Sequence, residues 1–358
     1  MGIKASKKIK IKTTNIVVPN GYIIIKLGTF NVDIRNTVNI GNRIKDIVTY
    51  IFHDYDNLEI DIMCLQGIND YSSLYNLVRA IKKYSKIYKK KIYFIPEFKD
   101  IIIDNISAQY LDNNFVVTLK SFNSEDITLT DNKHIQNIIL SKYPVVTSNY
   151  KELKNHTDMT KILGIQTIIY ANISIHGNII SIYNTTLSKD IRAANITNAN
   201  IRDKEIYELF KVIDRNKRKL NKKRISYYKT NIHLLIGTLN IKEHINNLIN
   251  KEYTKFVKER HCVDIYRYLE DKKSGYTNTF NERNNYIFFI LTKEIYDINS
   301  KYYNQLKKIK NKNDLFNLIL KKYKIYFIDC KVRKDIDVDY SMTNFPIETI
   351  FMMSKNNH

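Results

Sequence analysis

Residues 179–188 read Ile-Ile-Ser-Ile-Tyr-Asn-Thr-Thr-Leu-Ser, and residues 232–240 read Ile-His-Leu-Leu-Ile-Gly-Thr-Leu-Asn. Each is a short β-branched and aromatic run that passes into a polar turn, which predicts strands at Ile179–Thr185 and Ile232–Gly237. The same design predicts strands at Tyr22–Phe30, Ile60–Leu65, Lys91–Pro96, Asn114–Lys120, Ile135–Ser141 and Gly164–Ile175. It predicts others at Tyr286–Leu291, Ile325–Val332 and Ile347–Met352. Helical spacing predicts helices over Asn42–Tyr55, Tyr71–Ser85, Ala193–Lys219, Ile241–Val257 and Asn304–Tyr323. In the third of these, Ile206, Leu209, Phe210 and Ile213 share one face. Interleaved elements of both kinds predict an α/β chain with mixed sheets. No internal repeat of fixed period is visible.

The order of blocks around these two runs is more specific than any block alone. Gly28-Thr29-Phe30-Asn31-Val32 is followed by Asp61-Ile62-Met63-Cys64-Leu65-Gln66-Gly67 and by residues 136–145, QNIILSKYPV. Next come Tyr183 to Ser188, the helix carrying Arg202, and Leu235-Ile236-Gly237-Thr238-Leu239-Asn240. Val263-Asp264-Ile265-Tyr266-Arg267, Gly275-Tyr276-Thr277, Arg283 to Phe288 and Ser341 to Ile347 complete the series. Taken in order, these segments resemble the endonuclease/exonuclease/phosphatase family, with its DNase I-like fold. They span nearly the whole chain, roughly residues 22 to 353. The resemblance implies a four-layer α/β sandwich: two mixed β-sheets face to face, with helices outside. It implies one such domain over 21–358, preceded by a flexible basic arm over 1–20.

The family's reaction is attack of an activated water on a phosphate ester. A carboxylate-held Mg²⁺ stabilises the developing charge and a His–Asp pair handles the proton. At the matching positions this chain departs. The metal-binding Glu is Gly67, the His of "NTHLS" is Thr186, and the Asp of "GDFN" is Thr238. The Asp of "RIDYIF" is Asn285, and the Asp and His of "SDH" are Thr343 and Asn344. Only the neutral slots Asn31 and Asn240 keep the family residue. Mg²⁺ is a hard cation usually gripped through one or two carboxylates. The resemblance therefore implies a pseudoenzyme, with no metal, no cofactor and no catalytic residue in these slots. Asp33 and Asp70 are the nearby carboxylates from which an active Mg²⁺-dependent phosphodiesterase or nuclease would have to rebuild a centre.

Other acidic groupings read as solvated turns or edges: Asp54, Asp56, Glu59 and Asp61, and the alternating Asp335, Asp337 and Asp339. His244 and His261 have no partner pattern. No phosphate-cradling or zinc-protease motif is present.

The chain has 358 residues, 58 Lys or Arg and 36 Asp or Glu, for a net charge of +22. At 44% hydrophobic and 12% aromatic it is not a disordered chain. No apolar run approaches the ~18 residues of a membrane span, and no secretory leader is visible. Three cysteines far apart, Cys64, Cys262 and Cys330, form no disulfide framework and suit a reducing compartment. The abundance of Ile, Lys, Asn and Tyr is what AT-rich codons give, as in some parasites and large DNA viruses.

Met1-Gly2-Ile3-Lys4-Ala5-Ser6 fits the N-myristoylation pattern, with Gly2 as acceptor. One acyl chain binds membrane only marginally. Lys4, Lys7, Lys8, Lys10 and Lys12 would supply the second signal, at ~1 kcal/mol each near an anionic leaflet. Three basic runs interleave with tyrosines: Lys82–Lys91, Arg215–Lys229 and Lys301–Lys324. The second, with Lys217, Arg218, Lys219, Lys222, Lys223 and Arg224, reads as an exposed loop able to meet polyanions.

The expectation is a non-catalytic scaffold or phosphate-ligand-binding protein. It would sit peripherally on a cytoplasmic membrane face, or in a virion or infected-cell cytoplasm if viral. Partners left open are an anionic membrane, a phosphoinositide, nucleic acid and a protein, with the oligomeric state undetermined. The alternatives are an active metal-dependent phosphodiesterase with a rebuilt site and a soluble basic nucleic-acid-binding protein.

Overall fold

The computed structural model describes residues 7–11, 14–34, 40–52, 59–68, 71–95, 97–98, 117–120, 126–129, 136–153, 166–190, 198–222, 231–245, 248–270, 273–278, 282–291, 314, 320, 323–334 and 344–355. Its strands, in chain order, begin with β1 Lys7–Ile11, β2 Thr14–Val18, β3 Tyr22–Ile34 and β4 Ile62–Ile68. Then come β5 Tyr93–Ile95, β6 Glu97–Phe98, β7 Val117–Lys120, β8 Asp126–Leu129, β9 Ile138–Ser141 and β10 Val145–Glu152. The rest are β11 Thr167–Ile175, β12 Asn178–Thr186, β13 Asn231–Thr238, β14 His244–Ile245, β15 Leu248–Ile249, β16 Cys262–Asp264, β17 Asn285–Ile290, β18 Ile325–Val332 and β19 Ile347–Ser354. The helices are α1 Ile40–Phe52, α2 Tyr71–Ile87, α3 Ala199–Lys222, α4 Lys251–Thr254 (continued by a π-helical turn, Lys255–Glu259) and α5 Ile265–Leu269.

Two six-stranded sheets dominate. One has the order β18-β19-β3-β4-β9-β5 and the other β10-β11-β12-β13-β17-β16. Each is antiparallel except for one central parallel pair, β3–β4 and β12–β13. Such pairs need a crossover, which α1 and α3 provide. The central strands are buried on both faces. Only Thr186 of β12 is not fully buried, and β17 is buried throughout. That is why apolar residues occupy successive positions, as in Ile179-Ile180, Leu234-Leu235-Ile236 and Tyr286 to Ile290, rather than alternating.

The core between the sheets joins Ile25 and Leu27 of β3 to Ile180, Ile182, Leu234 and Ile236 of the second sheet. The same cluster extends under α1 and α2 through Ile47, Val48, Leu77 and Ile81. On the other side Ile206, Leu209, Phe210 and Ile213 of α3 pack with Phe256, Tyr286 and Phe288. The result is the four-layer sandwich expected from the sequence, helices–sheet–sheet–helices.

Several local expectations fail for identifiable reasons. Ile241–Val257 is not one helix: it holds the β14–β15 hairpin, α4 and the π-helical turn. Asn250 breaks the periodicity because its side chain caps α4, accepting from the Glu252 N–H at 2.9 Å. Arg215–Lys229 is not a loop over its first half, because Arg215 to Lys222 are the last turns of α3. Asn216 and Leu220 are buried there while Arg218 and Lys219 face water. β10 was not expected, since its polar residues and partly buried edge position mask the strand pattern. Part of the arm expected to be flexible is a hairpin, with Ile9 paired to Ile16. Most of Asn304–Tyr323 lies outside the described residues.

Candidate functional site

The family slots converge on one end of the sandwich. In the first sheet, Asn31 stands near the end of β3 and pairs with Gln66, next to Gly67 on β4. In the second, Thr186 and Thr238 are register partners at the ends of β12 and β13. Asn285 opposes Thr238 at the start of β17. Asn344 bridges to Asn278, and the Phe345 N–H donates to the Thr277 carbonyl at 2.8 Å. Thr343 lies outside the described residues, as does Asp70.

At the first-sheet corner the backbone takes the space a side chain would need. Gly67 sits at φ +72°, in the left-handed region that favours glycine. A Cβ there would run into Asn31 Oδ1 and lie 2.9 Å from the Asp33 nitrogen. Asp33 is itself at φ +39° and its N–H donates to Asn31 Oδ1 at 3.2 Å. The register shifts between Asn31 and Ile34 as a bulge, which brings Asp33 inward.

In the second sheet the slots bond to one another and to the scaffold. Thr238 Oγ1 donates to Asn285 Oδ1 at 2.8 Å. Thr186 Oγ1 donates to Asn137 Oδ1 at 2.8 Å, and Asn137 Nδ2 donates to the Thr167 carbonyl at 3.0 Å. Asn240, at φ +51°, gives its Nδ2 to the Leu187 carbonyl at 2.6 Å. The Asn285 Nδ2 is buried with no hydrogen-bond partner.

Two neighbours that the sequence reading left without a role tie the sheets together here. Gln66 Nε2 donates to Asn184 Oδ1 at 2.7 Å. Asn184 Nδ2 donates to the carbonyls of Leu65 and Ile138, at 3.0 and 2.9 Å. All of this is buried. The available signal was an amide inside each of two buried strands, which a buried strand tolerates only when its hydrogen bonds are met.

The donor set does not fit a hard divalent cation. The described slots contribute amides, hydroxyls and a glycine, and the Asn31 oxygen is already engaged. Among the described residues no group of three His, Cys, Asp or Glu side chains comes together. Asp33 is the described carboxylate at this corner.

Charge is retained elsewhere as buried pairs. Arg283 grips Asp264 through both nitrogens, at 2.7 and 2.6 Å. Arg202 holds Glu252 in the same bidentate way, at 2.7 and 2.9 Å, and reaches Asp190 at 2.7 Å. Glu348 gathers Lys26, Arg333 and the Tyr50 hydroxyl. Glu59 of the acidic turn pairs with Lys90 and Lys142. Asp61 accepts from the Lys26 N–H at 2.9 Å, and burial pushes its carboxyl up to about 6 despite the nearby lysines. Asp54, Asp56, Asp335, Asp337 and Asp339 lie outside the described residues.

His261 is half-buried and its imidazole is pushed down by desolvation and by Lys217. His233 is buried against the Tyr183 hydroxyl, with burial and Lys217 lowering it to about 3. Of the expected polyanion contacts, Lys217 does not sit on the open surface. It is half-buried, and desolvation pushes its ammonium down. Lys7, Lys8 and Lys10 lie on β1, whereas Gly2, Lys4, Lys12, Lys223 and Arg224 lie outside the described residues. A cleft of about 530 Å³ lies between α5, the 273–276 segment and the end of β18. None of the family slots lines it.

No family model matches the chain, and no curated protein is significantly similar to it. Solved structures are similar in fold. An endonuclease/exonuclease/phosphatase family protein from Bacteroides thetaiotaomicron superposes with a TM-score of 0.51 at 11% identity, over 93% of this chain and 99% of that one. The protein SmcL superposes with a TM-score of 0.51 at 14% identity, over 92% of this chain and 99% of that one.

Proposed function

We propose that this chain, which has the endonuclease/exonuclease/phosphatase (DNase I-like) fold, is a non-catalytic protein that works as a membrane-associated scaffold or phosphate-ligand binder. The observation that carries the reading is the corner at Gly67. The position that would offer a carboxylate is crowded by Asn31 and the Asp33 backbone, and Thr186, Thr238 and Asn240 are bonded to neighbouring amides or to the scaffold. The described slots themselves offer neither a carboxylate to grip Mg²⁺ nor a base to take a proton from water, and Asp33 is the described carboxylate beside them. Uncharged slots within a chain of +22 are compatible with phosphate esters that arrive without a divalent ion.

Attachment to the membrane is assigned to myristoyl-Gly2 and the lysines behind it, with a cytoplasmic leaflet as the anionic surface. No helix among the described residues is long and apolar enough to cross a membrane.

Two measurements test the proposal. The full chain is assayed against phosphodiester and phosphomonoester substrates with Mg²⁺ and Mn²⁺, with no turnover above the blank expected. Intact mass of protein made in cells with an N-myristoyltransferase is expected to show loss of Met1 and gain of one acyl group. An unmodified Gly2 removes the acyl anchor from the reading.

A second reading, a rebuilt metal-dependent phosphodiesterase, is favoured by one observation. Asp33 sits with its backbone against both Asn31 and Gly67. Turnover that disappears in Asp33→Ala would establish it in place of the first.

A further inference from the structure

Residues 71–91 contain seven Lys or Arg and no Asp or Glu. The structure sorts them. Leu74, Leu77, Val78 and Ile81 bury one face of α2 in the core, while Arg79, Lys83 and Lys86 stand exposed. The helix end is closed by paired backbone bonds, Lys90 N–H to the Ser85 carbonyl and Lys89 N–H to the Lys86 carbonyl, with Lys89 at φ +53°. This is the geometry of a Schellman cap, and it fixes the direction in which the tip projects.

At that tip stand two large apolar side chains that water covers. Ile87 is 61% exposed and Tyr88 51% exposed. Tyr88 is braced from below, its ring stacked on Phe52 at 5.7 Å. Lys83, Lys86 and Lys89 surround the tip and make no ion pair among the described residues. Lys90, by contrast, is held by Glu59 at 2.8 Å.

We propose that the C-terminal end of α2 is a wedge that docks on an anionic lipid bilayer. Ile87 and Tyr88 enter the interfacial layer while Lys83, Lys86 and Lys89 meet headgroup phosphates. An aliphatic side chain beside an amphipathic ring suits the boundary between acyl chains and headgroups. The ring of lysines matches the negative surface potential of such a leaflet. Single-stranded nucleic acid fits less well, because stacking needs a free aromatic platform and Tyr88 is already stacked on Phe52. The inference rests on the membrane half of the function proposed above, yet it uses neither Gly2 nor the arm.

The test uses the full chain carrying Gly2→Ala, so that no acyl chain contributes. Cys64, Cys262 and Cys330 are buried, so Ile87→Cys takes an environment-sensitive dye selectively. With phosphatidylcholine vesicles containing phosphatidylserine, the dye is expected to shift to the blue; with phosphatidylcholine alone it is not. Combined Lys83→Glu, Lys86→Glu and Lys89→Glu is expected to weaken vesicle binding about 100-fold with the melting temperature unchanged. A dye that does not shift on vesicles still bound through the arm overturns the wedge and keeps the arm. A shift in the Gly2→Ala chain, when native protein proves unacylated, supports the wedge and overturns the arm. A triple variant that loses affinity for single-stranded oligonucleotides but not for vesicles assigns the surface to nucleic acid and overturns the proposal.

Discussion

Two polar regions of the sandwich handle charge in opposite ways. At the end where the family slots meet, Asn31, Gly67, Thr186, Thr238, Asn240 and Asn285 are all uncharged. At Asp264–Arg283, at the end of edge strand β16 and just before β17 of the same second sheet, both charges are kept and paired bidentately. Arg202–Glu252 and Glu348 with Lys26 and Arg333 repeat the second pattern. A lysine-rich composition drifting away from acidic residues would deplete both regions alike. Among the described residues, carboxylates stand where they brace loops and strand ends, and the six slots named above carry none.

The largest expected effect tests the framework side. Arg283→Met leaves Asp264 buried and unpaired, which should cost about 3–5 kcal/mol of unfolding free energy. Urea denaturation reads it, and a loss below about 1 kcal/mol would mean the pair is not what holds this region. Next is Gly67→Ala, the smallest possible refilling of a slot. The left-handed backbone and the approach of Asn31 and Asp33 should together cost about 2–4 kcal/mol. A neutral Gly67→Ala would show that the corner opens readily and would reopen it to a metal.

Asp61, which belongs to neither region, supplies a pH-dependent contrast to the paired carboxylates. Its folded carboxyl titrates near 6, above its unfolded value of 3.8, so the native state binds the extra proton in that window. Stability should therefore fall as pH rises from about 4 to about 6. Asp61→Asn keeps an acceptor for the Lys26 N–H and removes the buried charge. It should gain about 1–2 kcal/mol at pH 8 and nothing at pH 4. Equal urea midpoints for the two proteins at pH 8 would contradict this. The smallest effect belongs to Thr238→Val, which removes one neutral hydrogen bond to Asn285 and should cost about 1 kcal/mol. A cost as large as that of Arg283→Met would erase the contrast between the regions.

The strands were legible in their apolar runs, which supported only an α/β chain with mixed sheets; the four-layer sandwich came from the order of the blocks and the resemblance they carry. β3, β12, β13 and β17 fall within a few residues of their expected limits. Failure came where surface and interior alternate. The polar side chains of β10 hid a strand, and the solvated Arg and Lys at the end of α3 made a stretch already predicted helical to Lys219 read as an exposed loop as well. The site was legible as a set of residue types at the ends of named strands. Its closure was not, because the left-handed turn at Gly67 and the bulge at Asp33 are backbone events with no periodic trace. The Gln66–Asn184 link was equally silent, since two amides 118 positions apart meet only through packing.

The placement of β19 between β18 and β3 has a consequence for how the molecule is made. During synthesis β3 emerges early, but the neighbour on that side is supplied by residues 347–354. At ~5–20 residues per second a ribosome needs about 15–60 s to cover that gap. Throughout it the nascent first sheet carries an open backbone edge of the kind that recruits stray strands. A chain interrupted before residue 347 keeps that edge for good, so premature termination should yield aggregates and not a smaller soluble protein.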